Sequence, residues 1–314
     1  MVRFGVQLCQ EEFDFDGLKK ACREVEDLGY ESAWLYDHFY PMSNETSKYI
    51  LESWTVLPSL ASETDRLRLG VLVTCNSYRF PSVLAKIAAT VDVMIDGRLE
   101  FGIGAGWFED EYVAYGIPFP DARTRIEQLA ESIEIIKRIW TREKASFRGK
   151  YYTISDLVSY PKPVQKPYPP IWVGGKGERL LRITAQHADY ANFATCSPIG
   201  CQEKLDVLKR QCLNINRDFE EIEKTWHGRV IIVNDEGHLR REALKAKEGS
   251  TNKKVRGMSL NEYLDKAIAG TPKQCVEKIQ KYVNLGVTYF IPVFPYEKDL
   301  KTTRVFIEKV ASAL

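Results

Sequence analysis

Long apolar stretches are missing from this sequence. No uninterrupted apolar run reaches the roughly 18 residues that a membrane-spanning helix needs, and residues 1–7 have the pattern of a strand rather than of an apolar signal segment. An excess of one charge is also missing, since 44 Lys and Arg residues face 43 Asp and Glu residues. This balance argues against the basic surfaces of proteins that bind nucleic acids or anionic membranes. We therefore expect a cytoplasmic protein that binds neither nucleic acid nor a membrane.

Disulfide and metal-binding motifs are missing as well. The seven cysteines are scattered and odd in number, with no Cys-x-x-Cys pair, and the closest two, Cys196 and Cys201, have four residues between them. The four histidines form no ligand spacing with these cysteines, so no metal site is expected. Scattered thiols of this kind are typical of reduced, cytosolic proteins.

Strand and helix patterns alternate along the 314 residues, which predicts a parallel sheet with crossover helices. Eight strand–helix units favour a closed barrel over an open sheet, and the length suits an α/β barrel of about 250 residues with insertions. We therefore predict a single-domain (β/α)8 TIM barrel over residues 1–314. The predicted strands cover residues 3–8, 32–36, 67–73, 98–103, 171–173, 190–193, 228–233 and 289–293.

Two segments interrupt this alternation. A proline-rich stretch at about 141–170 follows strand four and is predicted to be an extended insertion, because proline ends helices. A charged stretch at about 235–270 precedes strand eight. A solvated surface is expected there, and a mobile lid is the alternative. The motif Thr271-Pro272-Lys273-Gln274 then predicts a helix that starts with a capping box.

Active sites of such barrels lie where the strands end and the following loops begin. Asp37 and His38 follow strand two, and histidine can exchange a proton near neutral pH. A structural histidine held by backbone bonds is the alternative. A glycine-rich turn at 174–177 follows strand five, where backbone N–H groups and the start of a helix favour an anion. A plain tight turn is the alternative there.

Other residues near these motifs give weaker indications of a functional role. Gly102, Gly104 and Gly106 leave one face of strand four bare, which would suit a flat ring system, and a bend at the barrel rim is the alternative. Tyr78 and Arg79 are interpreted as rim packing. The acidic residues 109–111 open a short helix, and carboxylates in a first helical turn are interpreted as ordinary capping.

Four groups of residues, each at an expected strand end, together resemble the bacterial-luciferase-like family and, within it, the branch that depends on the deazaflavin coenzyme F420. They are residues 34–38 (WLYDH), 97–107 (GRLEFGIGAGW), 161–167 with 170–175 (PKPVQKP and PIWVGG), and 270–272 (GTP). The resemblance extends over nearly the whole chain. It implies a barrel with an insertion after strand four, a homodimer, and non-covalent binding of F420 or, alternatively, flavin mononucleotide (FMN).

The resemblance also implies roles for individual residues. His38 is implied as the catalytic group beside the cofactor ring. The implied cofactor contacts are Asp37, Val73, Cys75, Gly106, Trp107 and Asp110, with Gly174, Gly175, Lys176 and Gly177 around the phosphate. The family likeness further implies a strained bulge in strand three, which we predict to contain a cis peptide bond between Leu72 and Val73.

One position departs from the sugar-phosphate dehydrogenases of this branch, which carry a glutamate proton donor just after strand four. Trp107 stands at the aligned position here, so a sugar-phosphate reaction is in doubt and the proton donor is unassigned. The first hypothesis is an oxidoreductase that transfers a hydride between F420 and a small organic substrate. The alternatives are a monooxygenase that uses reduced FMN, and a flavin-binding protein without turnover.

Overall fold

The computed structural model describes residues 2–42, 47–175, 177–294 and 298–314. Within them the strands, in chain order, are β1 (Arg3–Gln7), β2 (Ser32–Leu35), β3 (Arg68–Cys75), β4 (Leu99–Gly104), β5 (Lys144–Arg148), β6 (Thr153–Val158), β7 (Ile171–Gly174), β8 (Tyr190–Ala194), β9 (Glu223–Ile232), β10 (Ile268–Gly270) and β11 (Tyr289–Val293). The α-helices are α1 (Phe15–Asp27), α2 (Ser53–Ala61), α3 (Pro81–Met94), α4 (Glu109–Ala114), α5 (Ala122–Thr141), α6 (Glu178–His187), α7 (Pro198–Leu213), α8 (Glu236–Glu248), α9 (Lys253–Arg256), α10 (Leu260–Lys266), α11 (Pro272–Val283) and α12 (Lys301–Lys309). Short 3-10 segments cover Gln10–Glu12, Asn76–Tyr78, Phe219–Glu221 and Ala311–Ala313.

Eight of the strands form a parallel barrel in the order β1-β2-β3-β4-β7-β8-β9-β11, and pairing of β11 with β1 closes the ring. The predicted (β/α)8 TIM barrel is therefore confirmed. Strand eight has its predicted bounds, Tyr289–Val293. The predicted bounds of strand seven differ most from the structure, because β9 begins at Glu223 instead of the predicted Gly228.

Large side chains fill the barrel interior. Trp34 and Trp172 meet edge to face with their ring centroids 4.6 Å apart, and Tyr289 and Ile291 pack against them. Each of these four side chains is at most 1% exposed. Burying a side chain of this kind stabilises the fold by about 1.5–3 kcal/mol, so the interior is a packed core. A ligand site must therefore lie at an end of the barrel.

The helices pack their apolar faces against the outside of the barrel. In α5, Leu129, Ile133, Ile136 and Trp140 recur at three- and four-residue steps and are all buried, because this spacing places them on one helical face. The Asp121 side chain caps the first turn of α5. Within the described ranges, no helix combines the length and the apolar character needed to cross a bilayer.

Both interruptions of the alternating pattern are more regular than predicted. The 141–170 insertion is extended, as predicted, but β5 and β6 pair in it as an antiparallel hairpin. The 235–270 stretch, for which a solvated surface or a mobile lid was expected, folds into α8, α9, α10 and β10. Ala243, Ala246 and Tyr263 of this stretch form a separate apolar cluster with the end of β9. The capping box of Thr271 and Gln274 is confirmed.

Strand β3 departs from regular pairing near its end. The peptide bond between Leu72 and Val73 is cis, as predicted. The register of β3 against β4 shifts between Val71 and Thr74, which confirms the predicted bulge.

Candidate active site

The carboxyl ends of β2, β3, β4 and β7 meet at one edge of the barrel. The parallel register places Cys75 beside Gly104 and Ile103 beside Val173, and β2 pairs with β3 on the other side. Because loops that leave neighbouring parallel strands emerge at the same edge, the predicted residues after these four strands lie close together. This edge is the candidate active site.

Asp37, two residues after the end of β2, is buried, and both oxygens of its carboxylate accept hydrogen bonds. Its carboxylate accepts hydrogen bonds from the backbone N–H of Cys75 at 2.8 Å, the Ser53 hydroxyl at 3.0 Å and the Arg79 guanidinium at 2.7 and 3.0 Å. Arg79 also pairs with Glu52. Beyond the rim packing predicted for it, Arg79 therefore balances the charge of a buried carboxylate. Asp37 ties the loop after β2 to the end of β3.

His38 contacts a carboxylate whose role the sequence did not reveal. Its Nδ1 lies 2.9 Å from Oε2 of Glu111, which is in the first turn of α4. The backbone N–H groups of Phe39 and Tyr40 donate to Oε1 of Glu111 at 2.5 and 2.8 Å, and the Tyr78 hydroxyl donates to Oε2. Capping is therefore the wrong interpretation of Glu111, because its carboxylate turns toward the loop after β2.

The environment of Glu111 favours its charged form. Burial by itself would raise the pKa of this carboxyl, and its side chain is 0% exposed. The hydrogen bond and the attraction from His38, together with the bonds from Tyr78 and the Tyr40 N–H, outweigh burial and hold the pKa of Glu111 below its usual value. The carboxylate is therefore an anion beside the imidazole at neutral pH.

Aromatic rings surround His38. The ring centroids of Tyr36, Trp107 and Phe108 lie 5.8, 5.7 and 5.9 Å from that of the imidazole. Trp107 stacks on Phe108 and keeps 47% of its surface exposed, so it forms the outer wall of this cluster. Mostly apolar surroundings with one polar group are typical of sites for small organic ligands.

The side chain of Val73 fills the space that three strand-end glycines leave. A Cβ atom at Gly102, Gly104 or Gly174 would lie 3.2, 2.7 or 3.0 Å from a methyl group of Val73. The prediction of a bare face for a flat ring is therefore wrong at Gly102 and Gly104, because β3 packs too closely against them. Val73 itself is partly exposed, so its side chain offers an apolar surface in their place.

At position 106 a different contact leaves no room for a side chain, so glycine is required there. The φ of Gly106 is +74°, and a Cβ atom there would lie 1.9 Å from the hydroxyl of the buried Tyr112. The same hydroxyl is 2.9 Å from Sγ of Cys75. Burial raises the pKa of the Cys75 thiol to about 12, so this cysteine is protonated and unreactive at neutral pH.

Strand β7 leads through the glycine-rich turn into α6. Gly175 has a φ of +152°, and a Cβ atom there would lie 1.7 Å from the Leu180 side chain. Gly177 is the N-cap of α6, and a Cβ atom there would meet nothing within 4 Å. No side chain caps α6 among the described residues, so the start of this helix can receive an anion. Lys176 lies outside the described residues.

The remaining predicted residue, Asp110, is exposed in the first turn of α4. Its carboxylate is exposed and lies 3.7 Å from Nζ of Lys253 in α9. The Thr251 hydroxyl, in the chain before α9, donates to the carbonyl of Met42 at 3.0 Å. The 235–270 segment therefore touches the loops around the candidate site at two points.

A second histidine lies at the carboxyl end of the barrel interior, and the sequence prediction missed it. Nε2 of His227 is 2.5 Å from Oε1 of Gln7, the last residue of β1. Burial, together with the charge of Arg229, lowers the pKa of His227 to about 4, so the imidazole is neutral. The predicted start of strand seven at Gly228 places His227 in a loop, whereas β9 already begins at Glu223. Thr225 and Trp226 were the signal for an earlier start, because both residue types are common in strands.

The chemistry of this edge follows from three neighbouring features. They are an imidazole held by a buried carboxylate, an apolar surface at Val73, and an uncapped helix start at Gly177. Together they could hold a phosphate-bearing planar cofactor and exchange a proton with its reaction partner. In the described part of the chain, no three His, Cys, Asp or Glu side chains are grouped as metal ligands would be.

Comparison with known proteins adds the family context. A family model described as luciferase-like monooxygenase matches residues 1–289. An F420-dependent glucose-6-phosphate dehydrogenase of Microbacterium testaceum is 26% identical over 331 aligned positions, which cover 100% of this chain and 97% of that protein. An FMNH2-dependent dimethylsulfone monooxygenase of Pseudomonas putida is 26% identical over 306 positions, which cover 90% of this chain and 84% of that protein.

A solved structure shows the same fold. It is an F420-dependent secondary alcohol dehydrogenase in complex with an F420–acetone adduct, with a TM-score of 0.86 and 19% sequence identity. The superposition covers 100% of this chain and 99% of the other. At this level of identity, the likeness supports the barrel architecture alone.

Proposed function

Because the chain belongs to the luciferase-like monooxygenase family, we propose that it is an oxidoreductase that transfers a hydride between F420 and a small organic substrate. The observation that carries this proposal is the 2.9 Å contact of His38 with the buried Glu111, at the barrel edge that also exposes Val73. Interconversion of an alcohol and a carbonyl moves a proton as well as a hydride, and this pair can manage the proton. Similarity to an F420-dependent dehydrogenase over the whole chain supports the choice of cofactor.

We propose that F420 is held where β3, β4 and β7 end. Two observations support the fit: Val73 offers an apolar surface there, and the uncapped start of α6 suits a phosphate. Asp37 and Cys75 are both buried and would support the ring from behind. The proposed cofactor residues are Asp37, Val73, Cys75, Gly106, Trp107 and Asp110 around the ring and Gly174, Gly175, Lys176 and Gly177 around the phosphate.

The mechanism that we propose assigns the proton to His38. When bound, F420 supplies the group that accepts or donates a hydride. His38 accepts the proton of the substrate hydroxyl during oxidation and returns it to the carbonyl oxygen in the reverse direction. Glu111 stabilises the positive charge that His38 then carries, because its carboxylate lies 2.9 Å from Nδ1. Trp107 and Phe108 limit the access of water to the reacting atoms.

We propose an uncharged alcohol or carbonyl compound as the substrate class. Trp107 stands at the position where the sugar-phosphate dehydrogenases of the F420-dependent branch carry a glutamate. The rings of Tyr36, Trp107 and Phe108 around His38 favour an apolar substituent over a sugar phosphate.

A monooxygenase that uses reduced FMN is the second candidate. The similarity to the dimethylsulfone monooxygenase favours it, and the same helix start could hold the phosphate of FMN. The two functions differ in whether the ring exchanges a hydride with the substrate or activates oxygen. A flavin-binding protein without turnover would keep the phosphate site and have no use for the proton of His38.

We expect the apoprotein to bind F420 more tightly than FMN. The measurement is a fluorescence titration with F420, FMN and riboflavin, repeated without oxygen for reduced FMN, because a monooxygenase must bind that form. Riboflavin is the matched control, since it lacks the phosphate that α6 is proposed to hold and should bind more weakly than FMN. Micromolar binding of FMN or reduced FMN without binding of F420 would reverse the assignment.

We also propose that the protein works in the cytoplasm as a homodimer. All seven cysteines are free thiols, which suits a reducing compartment. Val83 and Met94 are 53% and 64% exposed on one face of α3. The insertion borders this helix, because Lys86 donates to the carbonyl of Tyr160, whose ring is also exposed. Exposed apolar side chains on one helical face are typical of a subunit interface.

Replacing Met94 by Asp should therefore convert the dimer to a monomer. A charge buried in an apolar interface stays desolvated and unpaired, which opposes association. Light scattering coupled to size-exclusion chromatography measures the mass. Leu213→Asp is the matched control, because Leu213 is 69% exposed at the end of α7, a different surface helix. A Met94→Asp protein that remains a dimer would show that the interface is elsewhere.

A further inference from the structure

The geometry points to Glu111 as the positioning residue that fixes the tautomer of His38, with the proton on Nδ1 and the lone pair of Nε2 free for the substrate. This inference deepens the proposed function, because only that tautomer of a neutral imidazole can accept the hydroxyl proton at Nε2. Glu111 then does more than compensate the positive charge of the protonated imidazole.

The orientation of the Glu111 carboxylate does not depend on His38. Its Oε1 accepts from the backbone N–H groups of Phe39 and Tyr40 at 2.5 and 2.8 Å, and a backbone N–H can only donate. Its Oε2 faces Nδ1 of His38 at 2.9 Å and the Tyr78 hydroxyl. An ionised carboxylate has acceptors only, so Nδ1 must carry the proton.

The same geometry predicts the effect of a single atom change. In Glu111→Gln, the two backbone N–H groups require the amide oxygen at the Oε1 position. The amide NH2 then takes the place of Oε2 and faces Nδ1 of His38, to which it can only donate. His38 therefore switches to the tautomer with the proton on Nε2, and the substrate hydroxyl loses its proton acceptor. The folded structure keeps the same hydrogen-bond positions.

The deciding experiment is nitrogen NMR of the 15N-histidine-labelled protein at a pH where His38 is neutral. His187, His227 and His238 also give signals, so the His38 resonances are identified by their loss in His38→Gln. We expect a protonated Nδ1 in the wild-type protein and a protonated Nε2 in Glu111→Gln. Tyr78→Phe is the matched control, because it removes a donor to the same oxygen without reversing the polarity at Nδ1, and it should keep the wild-type tautomer.

Activity provides the second readout. Loss of the proton acceptor should lower the rate of alcohol oxidation in Glu111→Gln by about 10²–10⁴-fold, with little change in the melting temperature or in F420 affinity. A wild-type protein with the proton on Nε2, or a Glu111→Gln protein that keeps Nδ1 protonated or oxidises alcohol at the wild-type rate, would overturn the inference. If the variant does not fold, the tautomer of His38 in the wild-type spectrum still tests the inference. The NMR result requires neither F420 nor substrate, so a tautomer switch without F420 turnover would refute the proposed function and leave the role of Glu111 intact.

Discussion

Replacing His38 by Ala should lower kcat for alcohol oxidation by about 10²–10⁴-fold, the usual contribution of general acid–base catalysis. Affinity for F420 should change little, because the proposed phosphate site at α6 is formed by other loops. Glu111 keeps its bonds from Phe39, Tyr40 and Tyr78 when the imidazole is removed, so we expect only a small loss of stability. The measurement is single-turnover absorbance of F420 without oxygen, with the alcohol that the wild-type protein oxidises fastest.

Two companion measurements separate a catalytic histidine from a structural one. His38→Gln keeps a side chain able to hydrogen-bond to Glu111 but cannot carry the proton, so it should be about as slow as His38→Ala. A thermal melt and an F420 titration of both variants report on folding and on the site. Loss of stability together with loss of F420 binding would assign His38 a structural role. A stable His38→Ala protein with the wild-type hydride-transfer rate would remove His38 from the mechanism and turn the search to the loop and helix at 107–111.

Replacing Gly177 by Asp should weaken F420 binding strongly while leaving the fold intact. A Cβ atom at Gly177 meets nothing within 4 Å, its φ of −85° suits any residue, and it is the N-cap of α6, where aspartate is a favoured residue. The added charge would repel the cofactor phosphate by about 2 kcal/mol in a partly exposed site, which corresponds to a roughly 30-fold higher Kd.

Gly177→Asn is the matched control for this charge. Asparagine caps helices about as well as aspartate and has nearly the same shape, so the two variants differ in charge alone. We expect both to melt at or slightly above the wild-type temperature and only Gly177→Asp to lose affinity, in a titration repeated at low and high salt. Equal F420 affinity of the two variants would move the phosphate site away from α6.

The sequence was sufficient for the architecture, because each strand and helix has its own local pattern. The bounds of β11 match their predicted range, and Asp37 and His38 lie at the carboxyl edge of the barrel, as predicted. Such patterns depend on residues a few positions apart. Such patterns can therefore be recognised without knowledge of the tertiary structure.

The partners of the site residues could not be predicted in the same way. Glu111 lies 73 positions from His38 in the chain, and the local sequence does not distinguish it from Glu109 in the same helical turn. Successive helical residues point about 100° apart, so only the packing of α4 decides which carboxylate faces inward. The glycines of β4 show the same limit. Gly102 and Gly104 would look alike in sequence whether a ligand or Val73 filled the space beside them.

Electron density from crystals grown with F420 at a saturating concentration tests the central proposal most directly. We expect the ring of the deazaflavin in contact with Val73 at the carboxyl ends of β3, β4 and β7, His38 facing the ring through Nε2, and the phosphate at the start of α6. A ring bound elsewhere on the protein, or no F420 density at this edge under conditions where titration shows saturation, would contradict it.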